Sequence, residues 1–385
     1  MFLFLSLLSL CYAANQDRAC SDDISNLWLD IVIVVDKSVQ MSDGRLLQVS
    51  ENLQNIFGNG TRIGTEYSDP RSTRIEVVSF TDKAKIEADM NHFQSYEQFS
   101  SNIFPLLKND IRTDEEAFID IGLEKSLELF TNSRKNFKKV VILYTTSSNQ
   151  SLSITPIMED FKRHDIQLLV INCHKTPGIF RLYSTQYFSF SITSSTLITD
   201  IRKSLLKINC FCPINWSKQR DDNLSVLSLD HGTCIRAIDT RVTWNAAKDA
   251  CHRLGAFLVN DFGVFKKILM HGLVVNHFAP PHSYHIGLGY FNKTWSWQQL
   301  EGVEMKKLEL GGNDVDIEQW PKNYPKIQKS SWAPGFPHSA STKYGVVHMV
   351  SNKRKSNGWQ NINPDTVSAY YICEMPSCDA TNYCL

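Results

Sequence analysis

The sequence predicts two domains in series, an α/β doubly wound sheet followed by an α+β domain. Three observations carry this. The first half alternates β-branched apolar runs with helical patterns, as a mostly parallel sheet covered on both faces requires. The second half places two helical stretches before short aromatic strands. It ends in Gly358 to Glu374, GWQNINPDTVSAYYICE, an aromatic-led strand, a Pro-Asp turn and an apolar strand. Nine of the ten cysteines lie beyond residue 14, which suits an oxidising compartment.

In order, residues 1–14 (MFLFLSLLSLCYAA) form an apolar run ending in small residues and read as a signal peptide, although its usual positive start is missing. No later segment offers the roughly 18–20 uninterrupted apolar residues of a membrane span. The expected protein is secreted, soluble and extracellular. Its 385 residues suffice for two cored domains. Forty basic and forty acidic residues balance, so no overall field draws in nucleic acid. The basic run Asn352 to Lys355 reads as a solvated loop.

Residues 15–27 are a linker carrying Cys20, and 28–210 are the first domain. Trp28 to Asp36 is a continuous β-branched run, fit for a strand buried on both faces. A helix is expected over Leu46 to Ile56, then strands at Arg74 to Thr81 and Ala84 to Asp89. Helices at Phe93 to Leu107 and Glu115 to Phe130 precede a buried strand, Lys139 to Tyr144. Ile157 to Arg163 and Ile166 to Asn172 give a helix and a strand, and Ser195 to Ile208 closes the domain. Ligands of such sheets bind at the carboxyl ends of the strands.

At that position the first strand reads Asp36-Lys-Ser38-Val-Gln40-Met41, which resembles the metal-ion-dependent adhesion site of the von Willebrand factor type A domain. The resemblance implies a hard cation held by oxygens from three loops. The third oxygen here belongs to Gln40, where the family has serine. No threonine lies between Asp114 and Leu123, and Thr145-Thr146-Ser147 stands where an aspartate is expected. Asp36, Ser38, Gln40 and Thr146 are therefore degenerate adhesion-site positions, and no metal is expected.

Residues 211–376 are the second domain and 377–385 a cysteine-containing tail. Cys212-Pro-x-x-Trp216, Gly232-Thr-Cys234, the amphipathic helix from Trp244 to Ala256 carrying Cys251, a helix near Asp261 to Gly272, Tyr284-His-Ile-Gly-Leu-Gly-Tyr290 and Thr294-Trp-Ser-Trp297 follow in sequence. This order is similar to that of the C-type lectin-like domain, with His285 where tryptophan is usual. Sugar-binding members hold calcium with Glu-Pro-Asn or Gln-Pro-Asp in the long loop and Trp-Asn-Asp on the later strand. This chain has Trp332-Ala-Pro-Gly-Phe336-Pro337-His338 and Trp359-Gln360-Asn361, with no carboxylate at the matching positions. Calcium chemistry is expected to be absent, and Trp332, Phe336, His338, Tyr344, Gln360 and Asn361 are the ligand-binding candidates. An insertion, Glu301 to Ser331, carries Asn313-Asp314-Val-Asp316-Ile-Glu318, which reads as a solvated charged loop.

The expected cystines are Cys20–Cys210, Cys212–Cys234, Cys251–Cys373 and Cys378–Cys384, with Cys173 a buried free thiol, although spacing alone does not fix connectivity. Asn59, Asn149, Asn215, Asn223 and Asn292 are candidate glycan acceptors. A type A domain followed by a C-type lectin-like domain resembles a secreted family expanded in nematodes. It implies extracellular or innate defence recognition of a glycan or an extracellular protein. No Gly-x-Ser-x-Gly, His-Glu-x-x-His or phosphate-loop motif proposes an enzyme, and no cofactor is expected. The alternative is a protein-interaction or matrix module without sugar binding.

Overall fold

The computed structural model describes residues 19–58, 60–67, 69–108, 116–174, 188–219, 231–260, 264–298, 307–308, 332–338, 343–350 and 358–384. The expected signal peptide, Asn59, Asn223, the basic run at 352–355 and the acidic insertion at 314–318 lie outside them. The chain divides into two compact units.

The first unit contains β1 (Leu29–Asp36), α1 (Asp43–Phe57), β2 (Arg74–Phe80), β3 (Ala84–Ala88), α2 (Tyr96–Lys108), α3 (Ile119–Leu129), β4 (Lys138–Thr145), α4 (Thr155–Arg163), β5 (Ile166–Asn172), β6 (Ser189–Ser191) and α5 (Leu197–Ile208). The strands run in the order β3-β2-β1-β4-β5-β6, parallel except for β3. Every residue of β1 is buried, because the two-residue period sends alternate side chains into two different cores. Ile31, Ile33 and Val35 meet residues of α1, α2 and α5, while Val32 and Val34 meet residues of α3 and α4. Gly122 lets α3 lie close to the sheet: a Cβ there would stand 2.8 Å from Val34 Cγ1.

In the first unit α2 and α3 start a turn or so later than the sequence suggests. Phe93 is buried ahead of α2, edge-on to Phe99 at 5.1 Å. α3 begins at Ile119, preceded by Phe118 in an extended conformation, with residues 116–118 outside any helix.

The tail belongs to this unit. Phe211 and Cys378 exchange backbone hydrogen bonds of 3.0 and 2.9 Å. Trp28 donates its indole N–H to the Asp379 carbonyl at 2.9 Å, and its ring is packed by Phe137, Phe211 and Tyr383. The segment therefore closes the apolar end of the sheet as well as forming its own Cys378–Cys384 loop. Beside it, burial opposes ionisation of Asp30, but bidentate Arg74 and the neighbouring Arg134 hold its carboxyl below the usual range.

The second unit contains β7 (Ser217–Lys218), β8 (Thr233–Thr243), α6 (Trp244–Arg253), β9 (Phe257–Leu258), α7 (Val264–His277), β10 (Ser283–Phe291), β11 (Thr294–Trp297), β12 (Lys307–Leu308), β13 (Tyr344–Met349), β14 (Gly358–Ile362) and β15 (Ser368–Pro376). β10 is the hub, pairing with β11, β13 and β15, and β15 pairs in turn with β8. Thr243 caps α6 by accepting from Ala246 N, and Trp244 buries its ring against Gly345 while donating to the Ile286 carbonyl at 2.9 Å.

Cys251 of α6 is joined to Cys373 of β15, and Cys212 to Cys234. In the first unit Cys20 is joined to Cys210, and Cys173 remains a buried free thiol. A long loop closed by a bridge such as Cys251–Cys373 contributes about 3–5 kcal/mol through the unfolded chain.

Candidate functional site

In the second unit the candidate residues divide between core and surface. Along β14 side chains alternate, so Trp359 and Asn361 point inward and Gln360 is half-buried. Trp359 meets Trp297 and Trp332 edge-on, each at 5.6 Å, and Trp332 meets Trp295 at 5.2 Å. Tyr344 stacks over Trp295. Trp332 and Tyr344, 6% and 7% exposed, are thus packing residues, and their ring faces are spent inside the fold.

The loop 332–338 is fixed on top of this aromatic cluster. Ala333 donates its N–H to the Trp359 carbonyl at 2.9 Å, and Phe336 N–H closes a turn on Ala333 at 3.0 Å. Gly335 has φ +88°, which favours glycine at the turn. Asn361 then holds the far end: its Nδ2 donates to the His338 carbonyl and its Oδ1 accepts from the His338 N–H, both at 2.8 Å. The result presents Phe336, half-buried against the cluster, and exposed His338 with ring centroids 4.3 Å apart.

This arrangement offers an aromatic face, an imidazole and the Gln360 amide. Calcium needs six to eight oxygens with carboxylate help. Residues 332–338, 343–350 and 358–362 contain no carboxylate, and both polar atoms of the Asn361 amide are committed to His338. These residues do not fit the ion that the C-type lectin resemblance implies.

In the first unit the carboxyl edge of the sheet is wired without a cation. Asp36, fully buried, accepts from Ser38 N at 2.8 Å on one oxygen. Its other oxygen accepts from Thr146 N and Oγ1 at 2.9 and 2.7 Å, and from Thr145 Oγ1 at 3.2 Å. Asp120, in the first turn of α3, accepts from the backbone N–H groups of Ser151 and Leu152, each at 2.9 Å, and from the Ser151 hydroxyl. Ser147 Oγ donates to the Ala117 carbonyl at 2.8 Å. Three loops that a metal would bridge are therefore tied directly.

Ser38 Oγ is buried without a hydrogen-bond partner, and Gln40 is exposed. One carboxylate already saturated by four donors, one hydroxyl and an exposed amide do not make an octahedral magnesium site. Among the described residues no group of three or more His, Cys, Asp or Glu is placed to hold a metal. Burial pushes the Cys173 thiol pKa up, so this odd cysteine is a neutral, inert thiol.

Sequence reasoning missed Asp120, because its partners come from a loop thirty residues away. It also missed the buried trio under β15: Lys266 Nζ donates to Glu374 Oε1 and Asn260 Oδ1, each at 2.8 Å, with Lys266 fully buried. The Lys266–Glu374 pair joins residues 108 apart in sequence, and no local motif announces it.

The family model of the von Willebrand factor type A domain matches residues 30–199, and that of the lectin C-type domain matches residues 240–375. The chain carries a von Willebrand factor type A domain followed by a C-type lectin domain. C-type lectin domain-containing protein 160 of Caenorhabditis elegans is 18% identical over 393 residues, covering 97% of this chain and 57% of its own length. The chain thus spans a little over half of that relative. Among solved structures, proximal thread matrix protein 1 from the mussel byssus is 20% identical over 48% of this chain and 47% of its own, with a TM-score of 0.39. A calcium-independent type II antifreeze protein is 16% identical over 44% of this chain and 96% of its own, with a TM-score of 0.27. The assignment rests on the two domain matches. They support a lectin-like extracellular recognition or matrix module. Four disulfides are consistent with secretion, and among the described residues no helix is long and apolar enough to cross a membrane.

Proposed function

We propose that this protein is a secreted, lectin-like recognition protein of an extracellular or innate defence response. In this reading it binds glycan through the Phe336–His338 loop without calcium and performs no catalysis. The observation that carries the reading is the double hydrogen bond between Asn361 and the His338 backbone. It does with protein groups what a loop ion would otherwise do, and it leaves Phe336 and His338 presented at the surface. A pyranose has an apolar face that stacks on an aromatic ring, and its hydroxyls accept and donate to imidazole and amide groups. Such contacts need no cation.

The test is a panel of immobilised oligosaccharides probed with the full chain in EDTA, with free sugars as competitors. Binding that survives EDTA and yields to free sugar supports the proposal. Binding to a protein partner that resists salt and ignores free sugar would instead make the chain a protein-interaction or matrix module.

A further inference from the structure

Two sequons stand beside the two most exposed large apolar side chains among the described residues. Ile214 is 89% exposed and precedes Asn215 of Asn215-Trp216-Ser217, while Leu152 is 73% exposed and follows Asn149-Gln150-Ser151. Both asparagines are exposed. Asn215 sits in a tight turn, with φ +69° and Trp216 N–H bonded to the Pro213 carbonyl at 3.1 Å. Asn149 is anchored through its backbone: its carbonyl accepts from Ile119 N at 3.0 Å and its N–H donates to Ser147 Oγ at 3.0 Å. Its side-chain nitrogen has a 3.4 Å contact with Glu116 at the surface, so a substituent there displaces nothing buried.

Leu152 lies on the loop that Thr146 ties to Asp36, and three residues after Asp36 stands Val39, 57% exposed. A large apolar side chain this bare on an exposed loop is a point of non-specific adhesion unless something hydrated covers it.

We propose that Asn149 and Asn215 carry N-linked glycans that cover these side chains, Leu152 with the type A edge around it in one domain and Ile214 in the other. An N-glycan is bulky and strongly hydrated, and so turns an apolar surface into a soluble one. The type A edge is then a shielded face, and recognition is left to the lectin domain. In the transfer, asparagine Nδ2 bonds to C1 of the first sugar of a lipid-pyrophosphate-linked oligosaccharide. The C1–O bond to pyrophosphate breaks, the lipid pyrophosphate leaves with the electron pair, and the amide loses one proton. The inference rests on passage through the secretory pathway.

Asn292 supplies an internal control. It is an exposed sequon asparagine in the β10–β11 turn, with φ +51° and no side chain among the most exposed apolar ones beside it. The full chain is expressed with its own N-terminus in insect cells and recovered from the medium. Peptide-N-glycosidase F in ¹⁸O-water marks each occupied asparagine for peptide mass spectrometry. The expected result is marked Asn149 and Asn215, with one glycan mass lost in each of Asn149→Gln and Asn215→Gln. Both variants are expected to raise binding of the apolar dye ANS without loss of the folding transition, whereas Asn292→Gln does not. Unmarked Asn149 and Asn215 in secreted protein whose Asn292 is marked would overturn the assignment and leave the secretory reading standing. Protein retained in cells with no site marked would overturn both. Marked sites with unchanged dye binding in the two variants would overturn the shielding role.

Discussion

Asn361 and the backbone of His338 form two reciprocal hydrogen bonds of 2.8 Å, closing the loop 332–338 onto β14. The contact gives both the N–H and the carbonyl of His338 a side-chain partner. Asn361→Ala leaves the His338 N–H and carbonyl without these partners and is expected to cost about 1–3 kcal/mol. It is expected to abolish glycan binding while the rest of the lectin domain stays folded, which urea unfolding and a binding assay on one preparation would show.

The type A edge makes a parallel prediction. Asp36→Ala strands the Thr146 hydroxyl and the N–H groups of Ser38 and Thr146 at a fully buried position and is expected to destabilise this domain by on the order of 3 kcal/mol. Millimolar magnesium or calcium should leave the unfolding of the unsubstituted protein unchanged. A bound ion at one hundred times its dissociation constant would add about 2.7 kcal/mol. Such a rise in calorimetry would contradict the account.

Glu76 gives the type A domain a pH dependence. Burial, with Asp89 adding to it against Arg74 and Lys125, pushes its pKa from 4.5 up to about 7. The folded protein then holds this proton more tightly than the unfolded chain. Stability is fully present below about pH 4.5 and falls as pH rises through 7. Glu76→Gln removes the loss and is expected to stabilise the domain at pH 8 by on the order of 2–3 kcal/mol, read from urea midpoints at pH 5 and pH 8.

His285 predicts the opposite slope for the lectin domain. It is fully buried, donates Nε2–H to the Val242 carbonyl at 2.8 Å, and burial depresses its pKa from 6.5 to about 4. The unfolded chain takes up this proton first, so stability is lost as pH falls from 6.5 toward 4. At pH 5 the loss is about 2 kcal/mol, and His285→Gln is expected to flatten it in the same urea series.

The layout of the first domain was legible because a parallel sheet advertises itself: Ile166 to Asn172 is β5 residue for residue, and the β-branched run ending at Asp36 is β1. The helix starts were less legible, since Phe93 and Phe118 continue the apolar pattern while both lie ahead of their helices. In the lectin domain the Trp359-Gln360-Asn361 segment was readable as site-equivalent. What the sequence could not show is that Trp332 and Tyr344 face inward and that Asn361 is spent on His338, since both depend on the register of β14 against β13. The Cys378–Cys384 pair of the tail was legible, but its packing was not, because its partners, Trp28 and Phe137, lie hundreds of residues upstream.

The most direct test is equilibrium binding of the full chain to the immobilised oligosaccharide panel in EDTA, comparing unsubstituted protein with Phe336→Ala and His338→Ala. The account predicts sugar-competable binding that EDTA leaves intact and that both substitutions abolish, with the lectin-domain unfolding transition preserved. Binding that vanishes in EDTA and returns with calcium, or that both substitutions leave unchanged, would contradict it.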